Sequence, residues 1–119
     1  MGQCLITRKG GNSNKVFYDN VSNATSTGAR SSIDTGRATN NVVFCWGGGG
    51  VSGNTIGGKV QGSNNNSTWT DVCGATSTNS NASATYVKTN VAYRYFRLYT
   101  YGKYGYCSTS MAMTIFAPQ

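Results

Sequence analysis

The apolar residues of this chain occur in short runs with a period of two, and small polar residues separate the runs. The densest run is the aromatic segment at residues 92–100, Ala-Tyr-Arg-Tyr-Phe-Arg-Leu-Tyr-Thr. Its alternation places Phe96 and Leu98 on one side of a strand and Tyr and Arg side chains on the other. No segment has the runs of Ala, Leu, Glu and Lys that are typical of helices. The sequence therefore predicts an all-β chain.

The length of the chain fits one domain. Its 119 residues are enough to bury a core. We predict a single domain over residues 1–119, a small antiparallel β-sandwich of the jelly-roll type. Eight strands are expected, at residues 2–8, 15–19, 40–46, 56–63, 68–73, 84–89, 93–100 and 108–116.

Several segments between or within these strands have their own interpretation. Residues 20–39 are polar and predict a long loop or weak strands, and a loop of that length is usually functional or bound by a partner. The glycines at residues 47–50 predict a flexible hairpin tip, because no Gly-Lys-(Ser/Thr) follows to make a phosphate loop. The strands at residues 40–46 and 108–116 are apolar on both sides, which predicts a central position or contact with another subunit.

The charge of the chain is positive but dispersed. The formal net charge is +7, and the ten Lys and Arg residues are spread from Arg8 to Lys103. A protein that binds duplex nucleic acid usually concentrates its cations on one face or one helix. The charge therefore predicts solubility and attraction to an acidic neighbour, and it argues against nucleic acid as the partner. Binding of single-stranded nucleic acid, through stacking of Tyr and Arg side chains on the bases, stays open as an alternative.

The cysteines predict neither a metal site nor a secreted protein. Cys4, Cys45, Cys73 and Cys107 are too far apart for a Cys-x-x-Cys pair, and the chain has no His. No signal peptide opens the sequence, and no stretch is long or apolar enough to span a membrane. We therefore expect synthesis in a cytoplasm, with free and mostly buried thiols rather than disulfides.

The titratable residues argue against an enzyme. The acidic residues are Asp19, Asp34 and Asp71, and there is no Glu and no His. General acid–base catalysis usually needs a His or a paired carboxylate, and a Ser or Cys nucleophile needs a base to activate it. Glycoside hydrolysis needs two carboxylates on either side of one bond. We expect no catalytic residue and no cofactor, and we interpret each Asp as a turn residue or as the partner of a nearby Arg.

Two segments in the second half of the chain resemble a known family. They read VQGSNNNSTWTDV at residues 60–72 and YRYFRL at residues 93–98. The ordered pair resembles the C-terminal half of a discoidin-type, galactose-binding-like β-sandwich, over residues 59–100. In that family a strand leads into a Ser-(Asn/Asp)-(Asp/Asn)-Gly-x-x-Trp turn, and a later strand reads roughly Ala-Arg-Tyr-aliphatic-Arg-aliphatic. Asn66 stands where the family often has Gly, and the family's N-terminal strand is not visible here.

The resemblance implies a structural role. Similar Asn-rich domains are frequent in structural proteins of tailed bacteriophages, so it implies a virion protein such as a capsid decoration, fibre or tail-attached protein. Such a protein would form homo-oligomers and contact other virion proteins. Some galactose-binding-like domains bind calcium through an Asp and backbone carbonyls, which gives Asp71 an alternative role.

The candidate contact surface combines aromatic and basic side chains, because these residues are favoured at interfaces. An alternative is that the tyrosines pack on the sheet edge and that Trp69 is a core or sheet-covering aromatic residue. A competing function is a carbohydrate-binding module, in which the aromatic rings would stack on cell-surface glycans. The residues that we predict to contact protein or glycan are Trp69, Tyr95, Arg97, Tyr99, Tyr101, Lys103, Tyr104 and Tyr106.

Overall fold

The structure, a computed structural model, describes residues 14–24, 27–49, 56–77, 81–102 and 108–118. Within these residues the chain forms a succession of β-strands. In chain order they are β1 (Asn14–Ala24), β2 (Gly28–Ala29), β3 (Ile33–Asp34), β4 (Asn40–Gly49), β5 (Ile56–Ser63), β6 (Thr70–Ser77), β7 (Asn81–Val91), β8 (Tyr95–Gly102) and β9 (Ser108–Pro118). The predicted strand at residues 2–8, and its hairpin with the next strand, lie outside the described residues.

The strands form two antiparallel sheets. Sheet A has the order β1-β9-β4-β7. Sheet B has the order β2-β8-β5-β6, and β3 also pairs with β8. The sheets face each other across one buried cluster, so the prediction of a small all-β antiparallel sandwich is confirmed. In the described ranges, no helix has the length and apolarity needed to cross a membrane.

The core is made of alternate residues of the central strands. Phe44 of β4 and Met113 of β9 are fully buried on the inner side of sheet A. Phe96 and Leu98 of β8 are fully buried on the inner side of sheet B, as their alternation predicted. Burying a side chain of this size contributes about 1.5–3 kcal/mol, so these positions hold the two sheets together.

The glycine run after Trp46 belongs to a strand, and the prediction of a flexible hairpin tip is wrong for residues 47–49. These residues pair with β7 on one side and with β9 on the other. A Cβ built on Gly48 would lie 2.6 Å from both the Ile56 and the Trp46 side chains. Glycine therefore makes room for two large core residues inside a regular strand.

The polar stretches of the sequence also contribute strands. β1 continues to Ala24, and β2 and β3 pair with β8, which confirms the weak-strand alternative for part of residues 20–39. Residues 74–83 lie between two predicted strands, and their Ser/Thr/Asn/Ala composition predicts a loop, but β6 continues to Ser77 and β7 begins at Asn81. Main-chain pairing with neighbouring strands outweighs the weak propensity of these residues.

Strands β4 and β9 occupy the two central positions of sheet A, as their apolar sequences predicted. In the described part of the chain no second sheet covers the outer side of β4, where Cys45 is exposed. Contact of this side with another subunit stays a prediction. Cys45 and Cys73 are both free thiols, but only Cys73 is partly buried. Burial raises the pKa of the Cys73 thiol to about 11.

A buried amide joins two connections at one end of the sandwich. Asn40 is fully buried, and its Nδ2 donates to Thr35 Oγ1, to the Arg37 carbonyl oxygen and to the Tyr93 carbonyl oxygen at 2.8–3.0 Å. Thr35 Oγ1 donates in turn to the Arg94 carbonyl oxygen at 2.7 Å. These bonds fix the segment before β4 against the segment that leads into β8.

An aromatic and cationic surface on sheet B

The outer side of β8 presents the aromatic and basic residues that alternate with its core residues. Tyr95, Arg97, Tyr99 and Tyr101 are half-buried on this side. Strand β5 lies on one flank of β8, and the short strands β2 and β3 lie on the other. The predicted Tyr/Arg side of this strand therefore lies near the middle of an outer sheet surface.

Polar side chains of β5 and β6 complete this surface. In the strand register, Lys59 lies opposite Tyr99 and Gln61 lies opposite Arg97. A register shift between β5 and β6 then places Asp71 opposite Gln61. The three strands thus bring an acidic, a basic and an amide side chain beside the aromatic rings.

A chain of hydrogen bonds crosses these strands. Arg97 Nε donates to Gln61 Oε1 at 2.8 Å, and Gln61 Nε2 donates to Asp71 Oδ1 at 3.1 Å. Lys59 Nζ reaches the second oxygen, Asp71 Oδ2, at 3.2 Å. The Arg97 guanidinium also lies over the Trp69 ring, 4.3 Å from its centroid. The network therefore holds the Trp69 ring and the Arg97 cation in fixed positions relative to each other.

We name this region the aromatic–cationic surface. It consists of Lys59, Gln61, Trp69, Asp71, Tyr95, Arg97, Tyr99 and Tyr101. Two more cations lie over its rings: Lys59 Nζ is 4.9 Å from the Tyr99 centroid, and the Arg94 guanidinium is 5.2 Å from the Tyr95 centroid. Three of its four aromatic rings, those of Trp69, Tyr95 and Tyr99, thus lie beside a cation.

The carboxylate of the surface is held in its ionised form. The hydrogen bond from Gln61 lowers the pKa of Asp71 most, the bond and charge of Lys59 lower it further, and partial burial opposes them. The ion pair between Lys59 and Asp71 is largely open to solvent. It therefore orients the side chains more than it stabilises the fold.

The other two carboxylates pair with arginines, as interpreted from the sequence. Arg94 Nε and Nη2 lie 2.7 and 2.9 Å from the two Asp34 oxygens. This bidentate contact is the main cause that holds the pKa of Asp34 below its usual value. Asp19 accepts a similar pair of hydrogen bonds from Arg30. The interpretation of these residues as Arg partners is confirmed for Asp19 and Asp34.

An open depression of about 560 Å³ lies beside the surface on the β6 side. Its lining includes Lys59, Asp71 and Thr76, with the Tyr101 ring beside them and no side chain at Gly74. An ammonium group, a carboxylate and an aromatic ring therefore face one recess. This combination suits a ligand that has both hydroxyl groups and an apolar face.

The structure brings five of the eight predicted contact residues onto one surface, namely Trp69, Tyr95, Arg97, Tyr99 and Tyr101. The other three, Lys103, Tyr104 and Tyr106, lie outside the described residues. Lys59, Gln61 and Asp71 were not predicted as contact residues. Lys59 and Gln61 alternate with a period of two on β5, the strand beside the Tyr/Arg strand, and this is the signal that could have found them. Asp71 lies one strand further away, on β6.

The two sheets and their outer surface define this chain as a small antiparallel β-sandwich with an aromatic and cationic face. Among solved structures, it is similar in fold to the PBSX exported protein XepA, with a TM-score of 0.56 and 15% identity. The similarity covers 95% of this chain and 40% of that chain, so the present sequence spans well under half of XepA.

Two further structures share weaker similarity. One is from Bacillus endospore appendages, described as disulfide-linked pili: its TM-score is 0.49 and its identity 13%, over 94% of this chain and 96% of that chain. The other is a CBM4 structure, with a TM-score of 0.45 and 15% identity over 92% and 81% of the two chains. No protein-family model and no curated protein matches the sequence. The β-sandwich implied by the resemblance is confirmed, and its galactose-binding-like subtype stays a prediction.

Proposed function

We propose that the chain is a non-enzymatic structural domain of a bacteriophage virion, and that it contacts other virion proteins through the aromatic–cationic surface. The proposal rests chiefly on the three aromatic rings that lie under cations on an outer sheet face. Trp, Tyr and Arg are the residues most enriched where protein interfaces gain their binding energy. The virion setting follows from the resemblance of residues 59–100 to domains of phage structural proteins.

The geometry of the surface favours a protein partner. Because Arg97 and Trp69 are already ordered against each other, little side-chain freedom remains to be lost on binding. Arg97 also donates to a neutral amide, Gln61, rather than to a carboxylate. Its positive charge therefore attracts an acidic group on the partner, and the net charge of +7 favours the same kind of partner.

The carboxylates support the non-enzymatic part of the proposal. A general base is most effective when its pKa lies near neutrality. The pKa values of Asp34 and Asp71 are shifted downward instead, away from that range. XepA is described as an exported protein, and this description is compatible with a domain that acts outside the cell on a particle.

The proposal predicts that Arg97→Ala lowers the occupancy of the protein on purified virions. Virions would be purified from the source of the sequence by density-gradient centrifugation. The copies of the protein bound to each virion would be counted by quantitative mass spectrometry. We expect a reduction of about tenfold in apparent affinity, the effect of losing one interface hot spot. Lys88→Ala is the matched control, because it removes one exposed cation from β7 on the other sheet. Absence of the protein from the particles, or equal effects of the two variants, would overturn the proposal.

A second candidate function, glycan binding, is favoured by the depression beside Tyr101. The rings of Tyr95 and Tyr99 have a cation over one face. In the part of the chain that the structure describes, no cation lies over Tyr101. Its ring is thus available to stack on a sugar while Lys59 and Asp71 exchange hydrogen bonds with hydroxyl groups.

Glycan binding predicts that Tyr101→Ala weakens retention on a glycan array by about tenfold, because the stacking ring is lost. Tyr95→Ala is the matched control on the same strand, since Arg94 covers that ring. Binding that falls only in the Tyr101 variant would support the glycan function. A wild-type protein that binds no glycan, or equal losses in both variants, would remove this candidate.

A further inference from the structure

The outer side of sheet A carries no charged side chain among the described residues. The nearest charged residues on its strands, Lys15, Asp19 and Lys88, pair with inward-facing positions of the neighbouring strands. Large apolar residues instead stand in solvent: Val16 is 58% exposed, Tyr18 is 60% exposed and Val87 is 64% exposed. We name this surface the sheet A face. Its apolar character comes from Val16, Tyr18, Val43, Cys45, Val87 and Phe116.

The sheet A face has a ridge and a depression. Tyr18, Thr114, Val43 and Val87 lie opposite one another in strand register and form a row across all four strands. Next to this row, small residues at the centre of the sheet leave an open depression of about 300 Å³ between Tyr18 and Thr85. A ridge beside a recess on one surface allows two identical faces to interlock about a twofold axis.

We propose that the sheet A face packs against the same face of a second copy of this chain. The charges favour this occupant, because two copies that each carry a net charge of +7 repel each other wherever their cations meet. The described residues of the sheet A face include no Lys or Arg, so no described cations of the two copies would meet there. An acidic partner, in contrast, finds no complementary charge here.

The size of the face is sufficient for such a dimer. Four strands spaced about 4.8 Å apart, each with about ten residues at about 3.4 Å per residue, cover about 650 Å² per copy. A standard interface buries about 800 Å² per partner, so the expected dimer lies at the lower end of the stable range and dissociates on dilution. The inference rests on the proposed function, a structural role in an assembly, and adds a second interface to it. This interface lies on the opposite side of the sandwich from the aromatic–cationic surface.

The test introduces cations at two exposed positions of the face, Tyr18→Lys and Val87→Lys in one double variant. Sedimentation velocity of the full chain, with thiols reduced, would measure the dimer dissociation constant. We expect it to rise at least about 100-fold, because cations of the two copies then meet in the interface. The matched control is the double variant Ala38→Lys and Ala92→Lys, which gives the same net charge at exposed positions away from the sheet A face. The control is expected to stay within about twofold of the wild type.

A second measurement locates the interface without any substitution. Cys45 is exposed on the sheet A face, and the raised pKa of Cys73 keeps that thiol protonated at pH 8. We expect alkylation of the peptide that contains Cys45 to slow at least about tenfold between dilute and concentrated protein, since dimer formation covers the thiol.

Several results would overturn this inference. They are a chain that stays monomeric at every concentration, a dimer in which Cys45 reacts as fast as in dilute protein, and a double variant that matches its control. If the chain is always a monomer and Cys45 always reacts slowly, another segment of the same chain covers the sheet A face. Arg97→Ala is expected to leave dimerisation unchanged while it lowers virion occupancy, so failure of the dimer and failure of the proposed function are distinguishable.

Discussion

Asn40→Asp is expected to lower the free energy of unfolding by about 4 kcal/mol at pH 7. The Nδ2 group of Asn40 faces only acceptors, among them the carbonyl oxygens of Arg37 and Tyr93. A carboxylate of the same shape donates no hydrogen bond, so these acceptors lose their donor. The substitution also places a negative charge at a fully buried position against the negative ends of the carbonyl dipoles.

The loss in the free energy of unfolding of this variant, its stability deficit, is expected to depend on pH. Burial and the surrounding acceptors raise the folded-state pKa of the introduced carboxyl group above its value in the unfolded chain. For such a group, protonation favours the folded state, so the deficit shrinks as the pH falls through the folded-state pKa. The protonated form also donates one hydrogen bond. Urea unfolding of wild type and variant at pH 7 and pH 4 would measure this change, and we expect the smaller deficit at pH 4.

Asn41→Asp is the matched control for Asn40→Asp, because it makes the same chemical change at the next residue. Asn41 Oδ1 accepts from the Asn90 backbone N–H at 3.0 Å, and a carboxylate oxygen accepts this bond equally well. We expect a change within about 0.5 kcal/mol, measured in dilute protein so that any dimer does not contribute. Equal deficits for the two variants would show that the bonds of Asn40 do not hold this end of the sandwich.

The period-two pattern of the sequence was sufficient to predict the sandwich and, for β8, the side of the strand that faces inward. Phe96 and Leu98 are buried in β8 as expected, and the strand predicted at residues 56–63 coincides with Ile56–Ser63. A strand with one buried side has to keep its register, because a slip by one residue would expose its whole apolar set. The alternation of side chains within one strand is a local property, so the sequence contains it.

The network on the aromatic–cationic surface is not a local property. Gln61 meets Asp71 because the pairing between β5 and β6 shifts by one residue after Val60, and nothing in either strand taken alone specifies that shift. In the same way, the strand character of residues 47–49 depends on pairing with both β7 and β9. Contacts between distant segments decide both features, and a pattern read along the chain does not contain them.

The two apolar sides of β4 and β9 have different explanations. Phe44 and Met113 face the core between the sheets, whereas Val43 and Phe116 face outward on the sheet A face. The sequence pattern shows that both sides are apolar, but it does not show which side the second sheet covers. Closure of the sandwich accounts for the inner side, and only the outer side is left for a second copy.

Gly57→Ala is expected to lower the free energy of unfolding by about 3 kcal/mol. A Cβ at Gly57 would lie 2.5 Å from the Ala75 backbone oxygen and 2.7 Å from Thr76 Cγ2 on the neighbouring strand β6. A backbone oxygen and a β-branched side chain have little freedom to move aside. The added methyl group is therefore expected to push β5 and β6 apart.

Gly28→Ala is the matched control for Gly57→Ala, because nothing lies within 4 Å of a Cβ built on Gly28. It is expected to leave the stability unchanged or to raise it by about 0.5 kcal/mol, since alanine lowers the entropy of the unfolded chain. Urea unfolding would compare the two variants. Equal stability would contradict the close approach of β5 and β6.

The Gly57 variant also connects stability to function. The pairing of β5 with β6 is what brings Lys59 and Gln61 within hydrogen-bond distance of Asp71. When these strands separate, Gln61 loses its fixed orientation, and Arg97 loses the acceptor that holds it over the Trp69 ring. Virion occupancy is therefore expected to fall under conditions in which the variant is still folded. Dimerisation through sheet A would persist, because the substitution lies in the other sheet.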